Sequence, residues 1–78
     1  MTLRMVQVEW VDSNFGGNGW MPIEGAKSLP ISHCQSVGYE LLKDNEKVVI
    51  TTSIEGDEGA CAGILIIPEV CIIKRTYI

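Results

Sequence analysis

Two tryptophans, Trp10 and Trp20, bracket a segment that carries Asp12, Ser13, Asn14, Phe15 and Asn18 among Gly16, Gly17 and Gly19. An aromatic face stacks on a base, and the amide N–H groups of a glycine-rich loop can cradle a phosphate. The same side chains equally suit docking against a protein. Trp10, Asp12, Ser13, Asn14, Phe15, Gly17, Asn18 and Trp20 are therefore the candidate ligand- or partner-binding residues. A competing reading makes Trp10 a core residue and the loop a simple turn, in which Asp12 and Ser13 bond nearby backbone.

The other chemistry-bearing residues offer less. His33 and Cys34 are adjacent, as a nucleophile and its base could be. On a strand, however, neighbouring side chains point to opposite faces. Zinc needs closely spaced ligands such as C-x-x-C, and no such pair occurs. The acidic turn 55–58 lacks the oxygen spacing of a calcium-binding loop. Paired acid and base residues, a nucleophile elbow and a cofactor loop are all missing. The sequence thus points away from an enzyme and names no catalytic residue, metal ligand or cofactor.

Charge narrows the partners. The chain has 78 residues, with six Lys and Arg against ten Asp and Glu, a net charge of −4. Phosphate backbones require clustered cations, whereas Arg4, Lys27, Lys43 and Lys47 are scattered and only Lys74 and Arg75 adjoin. Generic nucleic-acid binding is not expected. Neither is a membrane span, because no apolar run has the length, nor a signal peptide, because the N-terminus alternates from the start. A cytoplasmic protein is the expectation. The odd set of cysteines, Cys34, Cys61 and Cys71, argues against a disulfide scaffold and suggests free thiols acting as small buried hydrophobes.

The elements that must position these residues are strands. Val6, Val8 and Trp10 alternate with Gln7 and Glu9, the period of a half-buried strand. Residues 23–29 have room for one helical turn before Pro30. Alternation resumes over 33–42, with Val37, Tyr39 and Leu41 on one face and Ser36, Gly38 and Glu40 on the other. A polar turn at 43–47 leads into the β-branched run 48–54, which together predict an antiparallel hairpin. After a second turn at 55–59, residues 61–67 run almost wholly apolar, as strands buried on both sides do. Pro68 stops that strand, Glu69-Val70 makes a tight connector, and residues 71–77 form the last strand. Residues 1–78 thus read as a single all-β domain, a small five-stranded SH3-like barrel with a long first loop. An OB-fold would need a longer helix than residues 55–60 allow.

So small a chain buries a limited core, so association between copies is expected. Ile73, Arg75 and Tyr77 on the final strand are the candidate oligomer edge, because an unpaired edge strand invites another chain. The alternative is closure of that strand onto the first.

The elements VEWVDS (8–13), GW (19–20), SVGY (36–39), the D-N-E turn followed by VVITTS (48–53), and IP…I (67–72) resemble a recurrent kind of small phage and prophage protein of about this length. The resemblance spans nearly the whole chain, through short motifs that carry no diagnostic chemistry. It implies a phage or prophage origin and action in the bacterial host cytoplasm. The leading expectation is a non-enzymatic, homo-oligomeric accessory protein that binds a host protein, such as a host enzyme or defence factor. The rivals are an oligomeric sponge for a nucleotide-type immune signal and a minor structural component of the virion.

Overall fold

The computed structural model describes residues 3–56 and 59–78. Its elements are β1 (Met5–Asp12), a short helix α1 (Ile23–Lys27), β2 (Ser32–Lys43), β3 (Lys47–Glu55), β4 (Ala60–Pro68), a one-turn 3₁₀ helix (Glu69–Cys71) and β5 (Ile72–Tyr77). All pairings are antiparallel, in one sheet of order β4-β3-β2-β1-β5. β4 and β5 are its two edges and do not pair with each other, so the sheet is open. The closed barrel expected from the sequence is not formed. Part of the predicted acidic turn, Asp57 and Glu58, lies outside the described residues.

β2 is shared between two ladders. Its first part, to Tyr39, runs beside β1, and its second, from Tyr39 onward, beside β3. Gly38 sits at the changeover, buried, with no room for a side chain: a Cβ there would lie 2.7 Å from the Thr51 carbonyl oxygen. A bulge at Leu41 then shifts the register against β3. These two features let the sheet curl so that one face encloses the core.

That core is small. Val6 and Val8 of β1, Val48 and Ile50 of β3 and Ile67 of β4 are buried, with Trp10, Leu65, Cys71, Ile72 and Tyr77 packed around them. The predicted alternation of β1 holds. On β2 the core side is the one with the smaller residues, Ser36 and Gly38, opposite Val8 and Val6, while Val37 faces outward and is exposed. A bulkier side chain cannot occupy the inner side where β2 and β3 approach so closely. The 3₁₀ turn packs against both β1 and β3, tied by the Glu69 amide donating to the Glu46 carbonyl at 2.9 Å.

The reading of residues 61–67 as a strand buried on both sides is corrected. β4 is an edge strand, and of its residues only Ile67 is buried. Cys61 is likewise exposed rather than buried, while Cys34 and Cys71 are half-buried; all three are free thiols. In the β2–β3 turn, Asp44 Oδ1 accepts from the amides of Glu46 and Lys47 at 2.8 and 2.9 Å. The Lys47 amide and then that of Glu46 hold its carboxyl below its ordinary 3.8.

Candidate functional site

Residues 13–31 connect β1 to β2 and form the largest segment outside the sheet. Local hydrogen bonds shape it. The Ser13 amide donates to Asp12 Oδ1 at 2.8 Å, and Asn14 Nδ2 donates to the Pro30 carbonyl at 3.2 Å, joining the two ends of the loop. Gly17 adopts φ +93°, the left-handed region that favours glycine. Gly16 lies against Leu29, whose Cδ1 would be 2.7 Å from an added Cβ. Pro22 precedes α1, whose Glu24 and Lys27 pair at 2.9 Å. The Ser28 hydroxyl donates to the Gly25 carbonyl at the far end.

This scaffold presents its apolar side chains to solvent. Trp20 is fully exposed and Phe15 is 77% exposed, and Met21, Ile23, Leu29 and Ile31 join them. An indole in contact with water on all sides is stabilised by nothing within the chain. The sequence reading placed Phe15 and Trp20 in the site but missed these four companions, whose signal was the unbroken recurrence of apolar residues across 20–31. Asp12, Ser13 and Asn14 are used in shaping the loop, and Gly17 and Asn18 sit at its exposed tip.

Trp10 does not join Trp20. It packs against the core, and its indole Nε1–H donates to Ser36 Oγ at 3.1 Å across the β1–β2 ladder. Beside it, Glu9, Trp10, His33, Cys34, Gln35 and Ile73 line a shallow concavity of about 200 Å³. His33 stands opposite Val11 and Cys34 opposite Trp10, so their side chains lie on opposite faces, as strand geometry requires. Among the described residues, no group of three or more His, Cys, Asp or Glu side chains could hold a metal.

The proposed oligomer edge is divided by the structure. β5 is an edge and pairs with β1 on its inner side. Ile73 lies at a bulge and is exposed. Arg75 and Tyr77 turn inward. Arg75 Nη2 donates to both Oε1 and Oε2 of the Glu69 carboxylate, forming an ion pair. The Tyr77 hydroxyl donates to Glu40 Oε2 at 2.8 Å, and the Arg4 guanidinium lies 3.8 Å over its ring. The bond to Glu40 holds the Tyr77 phenol above its usual 10. Burial and the Glu40 charge add to this, while Arg4 and Arg75 oppose it. Tyr77 is thus a fixed proton donor, and the inner ends of Arg75 and Tyr77 are structural clasps.

The cations are dispersed. Lys27, Arg75 and Arg4 are each engaged by Glu24, Glu69 and Tyr77. Residues 5–26, which include β1 and most of the loop, contain no Lys or Arg. Among the described residues, no helix is long and apolar enough to cross a membrane. No family model, curated protein or solved structure matches the chain.

Proposed function

We propose that this chain is a non-enzymatic accessory protein of phage or prophage origin, acting in the bacterial host cytoplasm by binding a host protein through loop 13–31. The observation that carries the reading is the bare indole of Trp20, carried with exposed Phe15, Met21 and Ile23 on one loop whose ends are pinned by Asn14 and Pro30. Exposed aromatic anchors are what protein interfaces bury at their centre. Glu24 is paired with Lys27, so the loop offers a mainly apolar surface, which suits an apolar pocket. Strand order, the shared strand β2 and the 3₁₀ turn before β5 support an SH3-like architecture beneath the loop.

A protein partner is favoured over a nucleotide-type signal because the loop's one cation, Lys27, is engaged by Glu24 and no other stands within it to neutralise phosphate. The test is capture of host proteins by wild type and by Trp20→Ala, with circular dichroism to verify that the sheet is intact. A host protein retained by wild type and lost by W20A is expected. Equal retention by both would remove the loop from the interface. Heat on titration with a panel of cyclic nucleotides and ADP-ribose would favour the sponge instead.

A further inference from the structure

We propose that the outer edge of β4 is a self-association surface, on which a second copy of this chain pairs antiparallel so that two five-stranded sheets become one. This goes beyond the reading of the loop and does not depend on it.

The two edges of the sheet are unlike. β5 is six residues long and carries Lys74 and Arg75, the kind of charged, short edge that discourages further pairing. β4 is nine residues long, and from Ala60 to Pro68 it contains no charged residue. Its outer row of backbone N–H and C=O groups faces no other strand among the described residues. On the face away from the core, Ile64 and Ile66 are 55% and 61% exposed. A long, apolar, uncharged edge is a template for another strand.

β4 also supports a projection that needs help. The β2–β3 ladder ends at Tyr39↔Thr51, while β3 and β4 continue to pair through Ser53↔Ala62, Ile54↔Cys61 and Glu55↔Ala60. This end of the hairpin stands beyond the sheet as two strands alone, an arrangement of marginal stability in water. Gly63, at φ +73° and with Thr52 Oγ1 where its Cβ would be, marks where the projecting part begins. Ile64 to Pro68 remain as a regular stretch for pairing.

The occupant follows from area and charge. A compact monomer of this mass exposes about 4,700 Å², whereas this chain exposes 5949 Å². The excess of about 1,250 Å², which loop 13–31 and the β4 edge share, leaves room for the roughly 800 Å² per partner of a stable interface. Identical chains of net charge −4 repel wherever charged surfaces meet, and an uncharged strand is where they can approach. Antiparallel β4–β4 pairing is self-complementary about a two-fold axis and uses up the edge in both copies, so association stops at the dimer.

The test uses the purified full chain alone, so a failure here is separate from a failure of host binding. Light scattering is expected to give twice the 8.6 kDa of one chain. Ile66→Lys, a change on the exposed face, places two cations beside the axis and weakens the dimer about a hundredfold or more. Ile73→Lys on β5 leaves it unchanged. Hydrogen exchange of wild type needs no variant: the outward amides of 64–67 slow about tenfold or more from micromolar to millimolar chain concentration. A wild type that stays monomeric at millimolar concentration overturns the proposal. So does a dimer broken by I73K and not by I66K, or exchange at 64–67 that ignores concentration.

Discussion

Gly38→Ala tests whether the close approach of β2 and β3 is what bends the sheet around its core. The added Cβ would lie 2.7 Å from the Thr51 carbonyl oxygen and 3.3 Å from Ile50 Cβ, whereas ordinary contact begins near 3.4 Å. One strand must therefore move by about 0.7 Å, and the obstacle is backbone, which cannot rotate aside. If β2 moves, the pair Val6↔Gly38 is strained. If β3 moves, Ile50 is uncovered. Overpacking of this kind costs about 1–3 kcal/mol, and a weakened ladder bond adds about 1 kcal/mol. Reduced freedom of the unfolded chain returns about 0.4–1 kcal/mol. The expected net loss is about 1–3.5 kcal/mol, or roughly 1–3.5 M in urea midpoint for a chain with a slope near 1 kcal/mol/M. Gly19→Ala is the control, because no atom lies within 4 Å of its added Cβ. Both are measured by urea denaturation at one chain concentration, since association would shift the midpoint. A midpoint for G38A indistinguishable from that of G19A would refute the account of the bend.

Two other expectations concern the inner clasps. Glu69→Ala strands the Arg75 guanidinium, whose side chain is only 19% exposed and whose Nε already lacks a partner. A loss of about 2 kcal/mol is expected in denaturation, and E69A/R75M should cost less than E69A alone because no charge is left behind. Tyr77 has a raised pKa, so the folded state holds its proton more tightly than the unfolded chain. The stability this confers is complete below pH 10 and is lost as pH rises through the folded value. Ultraviolet titration of the phenol is expected to show a midpoint above 10 that falls in Glu40→Gln, and Tyr77→Phe should lack that part of the alkaline destabilisation.

The strands were legible because each leaves a local signature. Val6, Val8 and Trp10 alternate, the hairpin flanks a polar turn, and Pro68 ends β4 where a 3₁₀ turn takes over. The role of β4 was not legible. An apolar run with no charge reads alike whether two neighbouring strands cover it or one side is open. Cys61 was misread with it. The inward turn of Arg75 was hidden for a different reason: its partner Glu69 lies in the 3₁₀ turn, and period-two reasoning has no view of contacts across a turn. In the loop, Trp20 and Phe15 are singled out by their chemistry, while the core position of Trp10 depends on Ser36, 26 residues away. What distinguished Gly38 was its place inside a strand, where a glycine often marks a close backbone approach.

The two bare surfaces call for different kinds of partner. An open strand edge offers mainly backbone groups, which any extended chain can meet, so selectivity has to come from side-chain fit and charge. β4 supplies isoleucines and no charge, a surface that fits its own copy about a two-fold axis and repels nothing identical to itself. Loop 13–31 is the reverse case. It offers little regular backbone, and its contact surface consists of distinct side chains, Phe15, Trp20 and Ile23, held on a frame of short-range hydrogen bonds. Such anchors select by shape, and the loop's only two charged side chains, Glu24 and Lys27, are already paired within each copy. On the proposed reading, self-association belongs to the edge and recognition of a different molecule to the loop. A dimer built in this way carries two loops, and a target with two sites within reach of both would be held more tightly than one loop could hold it.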